Sequence, residues 1–129
     1  MAIKFSRIIL NGVEARRESP ANSKDMSISV SIDGLKKTKK GIDASFTYLV
    51  KYSPGVGFLK MVGYATLTGQ EKELNSLLAE WRREKKMDKE RAQKLVNLIT
   101  YVAGVNGIFA AKTLNLDPPF MTPRFEIEM

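Results

Sequence analysis

The chain has 129 residues and a formal net charge of +7, with no cysteine and no histidine. One domain of that length can bury a core of its own. The missing thiols and imidazoles exclude disulfides, thiolate metal sites, Ser-His and Cys-His nucleophile pairs and HExxH zinc centres. No metal or cofactor is expected, and since no two carboxylates can be assigned to one pocket, no enzymatic activity is expected either.

The first segment, IKFSRIILNGVEARR (3–17), alternates imperfectly and predicts a strand, with Asn11-Gly12 marking a turn or bulge inside it. ESPANSKD (18–25) reads as a loop. MSISVSID then alternates cleanly, with Met26, Ile28, Val30 and Ile32 on one face and serines on the other. GLKKTKKGID reads as a hairpin loop carrying Lys36, Lys37, Lys39 and Lys40. In the third strand Ile42, Ala44, Phe46, Tyr48, Val50 and Tyr52 share a face. SPGVG is the next turn, and it lacks the spacing of a phosphate cradle. The fourth strand, GFLKMVGYATLTG, is apolar on both faces and is expected to lie inside the sheet.

Helices follow. Thr68 and Glu71 have the spacing of a capping box, and Leu74, Leu77, Leu78 and Trp81 make one apolar stripe at helical period, so a helix is predicted over about 70–86. Asp88 is a candidate N-cap for a second helix, whose stripe runs through Leu95, Ile99, Val102 and Ala103. Its later half, YVAGVNGIFAA, is almost free of charge. Burial of that half is expected either on the sheet or against another subunit; for the latter, Ile99, Val102, Ala103, Gly104, Gly107 and Ile108 are the candidate interface. Asp117-Pro118-Pro119 ends the helical region, and PPFMTPRFEIEM reads as an extended strap able to close as an edge strand. The division is a sheet half (1–69), two helices (70–113) and a strap (114–129) within one α+β domain. No uncharged run reaches the roughly 20 residues that a membrane-spanning helix needs, so no insertion is expected. The opening segment reads as a strand and not as a signal peptide, and a cytoplasmic location is expected.

Two groups of residues carry functional readings. Phe46, Tyr48, Tyr52, Phe58 and Tyr64 lie on adjacent strands and can form either sheet core or an aromatic groove for extended polypeptide. Met61, Met87 and Met121 would add adaptable surface to such a groove. The second group is basic. Residues 1–69 hold 11 lysines and arginines against 5 acids, a balance of +6, while residues 70–129 balance at +1. This allows nucleic-acid contact by the sheet half or a solubility role. The lysine loop itself interleaves no arginine or aromatic residue, which favours a solvated tip over a single-strand binding site. The cations of the helix junction alternate with acids and read as a solvated face.

The order of four antiparallel strands and a helical C-terminal third, with the exit AKTLNLDPPFMTPRF, resembles the SecB family of export chaperones and SecB-like proteins. The segments FSRIILNGVEA, SISVSIDG and SFTYLVKY are similar to the first strands of such chains. The resemblance implies a homo-oligomer, a dimer or tetramer, that holds unfolded polypeptide clients in apolar grooves without ATP.

Overall fold

A computed structural model describes residues 3–119 and the strand 124–128. Four strands come first: β1 (Lys4–Arg17), β2 (Asp25–Lys37), β3 (Ile42–Ser53) and β4 (Gly57–Thr68). Two helices follow, α1 (Glu71–Glu84) and α2 (Lys89–Thr113), and β5 (Arg124–Glu128) closes the chain's described part. The α+β class is as expected. Hairpins join β2, β3 and β4 as antiparallel neighbours, while β1 returns to lie beside β4, so the sheet order is β1-β4-β3-β2-β5. The doubly apolar β4 is accordingly interior. The strap does supply an edge strand, and β5 runs parallel to β2.

Both helices pack on one face of the sheet. Ile28, Val30, Ile32, Ile42, Phe46, Tyr48, Val50, Leu59, Met61 and Leu67 turn toward them and are buried. From the helices come Leu74, Leu77, Leu78 and Trp81 of α1 and Ala92, Leu95, Val96, Ile99 and Ala103 of α2. β1, at the sheet's edge, has no fully buried residue.

Its imperfect alternation has a structural cause. Pairing with β4 shifts at Phe5/Arg7 and at Leu10/Gly12, so each extra residue swaps the faces of those that follow. Asn11-Gly12 is therefore a bulge. Gly63 opposes it, and a β-carbon there would stand 2.0 Å from the Ile9 carbonyl oxygen, so only glycine lets β1 approach.

Two expectations are corrected. The lysine loop is shorter than expected, because β2 continues through Lys36 and Lys37 after its own shift at Ile32/Gly34, leaving only 38–41 as the turn. Lys37 faces the helices and approaches Glu71 of α1 at 3.8 Å. The capping box is not formed, since α1 starts at Glu71 with Gln70 as its N-cap and no side-chain cap. For α2 the expected cap is present: Asp88 Oδ2 accepts from the Arg91 amide at 3.2 Å.

The end of α2 is closely tied down. Asn115 takes φ 55°, and the amides of Asn115 and Leu116 return to the carbonyls of Lys112 (3.2 Å) and Ala111 (2.8 Å). This is the Schellman arrangement, which satisfies the orphan carbonyls of a last turn. Arg17 then clamps the same turn: Nε donates to Leu114 O at 2.9 Å and Nη2 to Asn115 O at 2.8 Å. Its Nη1 donates to the carbonyls of Ser19 and Ala21, so one guanidinium joins β1, the 18–24 loop and the exit of α2.

Candidate functional site

The five candidate rings do not form a groove. Register decides this: Phe46 opposes Gly63, Tyr48 opposes Met61 and Tyr52 opposes Gly57, so the rings of β3 share a face with the odd-numbered positions of β4. Phe46, Tyr48 and Tyr52 are core residues beneath the helices. Phe58 and Tyr64 are even-numbered, lie on the opposite face and are half-buried there. Met61 and Met87 are likewise buried, and Met121 lies outside the described residues.

Within the core, the two tyrosine hydroxyls differ. Tyr52 Oη donates to Asp117 O at 2.6 Å. Burial, and secondarily the charge of Asp117, push its pKa up from 10.0 to about 12. Tyr48 Oη is buried with no partner among the described residues. Burial first, and Tyr52 second, raise its pKa well above the usual phenol range. It lies under α2 at Gly104, where a β-carbon would stand 3.7 Å away.

The candidate interface of α2 is also placed inside the subunit. Ile99, Ala103, Gly104 and Gly107 are buried on the sheet, with Val102 and Ile108 half-buried at the margins. Gly107 is small because Pro119 and Leu59 press on it: a β-carbon would come within 2.9 Å of Pro119 Cγ and 3.2 Å of Leu59 Cδ2. The glycines thus permit intramolecular approach.

The opposite side of α2 was missed by the stripe argument and is the more informative surface. Leu98, Tyr101, Val105 and Phe109 stand out from the helix, with Tyr101 72% and Phe109 71% exposed. Their spacing of three, four and four residues keeps them in one stripe, about 16 Å long at the usual helical rise. Polar neighbours do not break it. Thr100, Asn106 and Thr113 turn back to the carbonyls of Val96, Val102 and Phe109, four residues earlier in each case. Beside its C-terminal end lies a cavity of about 450 Å³ lined by Ile108, Lys112, Asn115, Leu116 and Pro118. The sequence signal was available, since apolar residues occupy nearly every position from 98 to 111, more than one buried face can use. By length and composition alone α2 is also long and apolar enough to cross a membrane; in this fold its inner face rests on the sheet.

No three His, Cys, Asp or Glu side chains converge on a metal-sized site among the described residues. No protein-family model, curated protein or solved structure matches this chain.

Proposed function

We propose that the protein is an ATP-independent holdase that binds unfolded polypeptide along the outward ridge of α2, not in the aromatic groove expected from the sequence. The observation that carries this reading is the ridge itself: four large apolar side chains in one exposed row, with a cavity near its C-terminal end walled in part by Ile108, Leu116 and Pro118. A soluble surface seldom keeps such a row without an apolar partner. The order of four antiparallel strands and two helices agrees with the SecB-like layout, although a fold by itself does not specify activity.

The clients would be extended segments with apolar side chains, the stripe covering several of them and the cavity accepting one. Assembly into a homo-oligomer belongs to the same reading. Among the described residues no strand lies beside the outer edge of β1, and an open 14-residue edge is a template for pairing with another chain.

The test is suppression of aggregation of a chemically unfolded client, with Tyr101→Ser and Phe109→Ser compared against the parent protein. Suppression at near-stoichiometric ratio, lost in the double variant while its circular dichroism is unchanged, supports the reading. A folded parent protein that does not slow aggregation sinks it.

A further inference from the structure

The sheet has a second face, away from the helices, and its side chains are not those of a passive exterior. Directly opposed residues in antiparallel strands share a face, so the registers give its rows. One row crosses β1, β4 and β3 as Arg16, Phe58 and Lys51. A second crosses as Arg7, Thr66, Asp43 and Lys36. Tyr64 lies between them, beside the second row and opposite Ile9. The rows are eight residues apart on β4, roughly 26 Å at about 3.3 Å per residue.

At the second row the surface is concave. Arg7, Thr38, Lys39, Lys40, Tyr64 and Thr66 surround a cavity of about 230 Å³, with Asp43 in its wall. Asp43 Oδ1 accepts from Thr66 Oγ1 at 2.8 Å, which occupies part of its charge within the sheet. Three cations against one carboxylate leave the cavity positive.

The ion pairs sharpen the contrast. Those among the described residues are Lys37–Glu71, Arg83–Glu84, Arg91–Asp88 and Lys94–Glu90, and every one involves a helix. Among the described residues the cations of the helix-free face form none. Side by side there are unpaired cations, hydroxyls and two half-buried rings aimed outward. The lysines of the turn, which carry no aromatic neighbour in the sequence, acquire Tyr64 from β4 and Arg7 from β1 in space.

We infer that this face binds single-stranded nucleic acid, with phosphates held by Arg7, Lys39 and Lys40 at one end and by Arg16 and Lys51 at the other, and bases stacked on Tyr64 and Phe58. Positive grooves that follow a backbone, combined with rings that accept any base, are the general means of sequence-tolerant single-strand binding. An acidic peptide would match the cations and leave the rings without flat partners. The inference is independent of the holdase reading, because the α2 ridge lies on the other side of the sheet.

The experiment is fluorescence anisotropy of a labelled thymidine oligomer of about 15 nucleotides with the full chain at about 50 mM salt, repeated as salt is raised. Affinity should fall linearly on a log–log scale, by about 0.7 in slope for each phosphate contact. Arg7→Ala with Lys40→Ala should lower affinity at least tenfold and flatten the slope by about 1.4. Tyr64→Leu, which keeps apolar bulk and removes the ring, should weaken binding by roughly fivefold or more, the lower end of a stacking contribution. Lys85→Ala with Lys86→Ala removes the same charge from the helix junction and should change affinity less than twofold. Tyr101→Ser should leave it unchanged. Absence of binding overturns the inference. So does an equal loss from the Lys85/Lys86 variant, which would make the attraction a property of net charge, or indifference to both Tyr64→Leu and Phe58→Leu.

Discussion

Tyr52 reaches from the middle of the sheet to the main chain beyond α2, its hydroxyl donating to the carbonyl oxygen of Asp117 at 2.6 Å. Four residues earlier on the same strand face, Tyr48 places a more deeply buried hydroxyl under α2 with no partner among the described residues. The two should respond oppositely to loss of the oxygen. Tyr52→Phe should destabilise by about 0.5–1.5 kcal/mol, the net value of an ordinary hydrogen bond. Tyr48→Phe should be neutral or stabilising, because it removes a buried polar group that has nothing to bond. Urea unfolding of the two variants, read as midpoint at constant slope, checks both.

The same pair predicts alkaline behaviour. Their folded-state pKa values lie above the unfolded value of 10.0, for Tyr52 at about 12. A raised pKa contributes stability that is complete below the unfolded value and is lost as pH climbs toward the folded one. Stability should therefore hold to about pH 10 and fall between there and pH 12. In the Tyr48→Phe, Tyr52→Phe double variant that decline should be shallower. Thermal melts across this range measure it, and an identical decline in the double variant would assign the effect to other groups.

The two sides of α2 should separate in mutagenesis. Ile99→Ala empties a fully buried site and should cost about 2–5 kcal/mol. Tyr101→Ser and Phe109→Ser alter exposed positions and should each change stability by about 0.5 kcal/mol or less. If the outward ridge were packed in the native protein by an obligate second copy, those two changes would instead lower the melting temperature in a concentration-dependent way.

Gly63→Ala should be among the most damaging single changes in the sheet. Its β-carbon would meet the Ile9 carbonyl oxygen, a backbone atom that cannot move aside without opening the β1–β4 ladder. Loss of amide-exchange protection confined to β1 and its partners would locate the damage there.

Arg17→Ala should loosen the junction of β1 with the end of α2. It removes every donor of a guanidinium that serves four carbonyls, and charged hydrogen bonds contribute about 1.5–3 kcal/mol each before solvent exposure reduces them. Arg17→Lys should restore only part, because an ammonium cannot span carbonyls on two separate segments as the planar guanidinium does.

Much of this protein could be read before folding. The alternation in 26–32 and 42–52, the stripe from Leu74 to Trp81 and the Asp88 cap are local patterns, and local patterns survive translation into structure because strand and helix periods set them. What needed the tertiary structure was the pairing of distant segments. Whether Phe58 joins Tyr48 or turns its back on it depends on one residue of register between β3 and β4. Whether the glycine side of α2 faces its own sheet or a neighbour depends on the approach of Leu59 and Pro119 to Gly107. The gathering of Arg7, Lys40 and Tyr64 at one cavity joins two strands and a turn that composition alone cannot align. Side-chain chemistry is written along the chain, but which groups meet is decided by hydrogen-bond register and by packing between elements far apart in it.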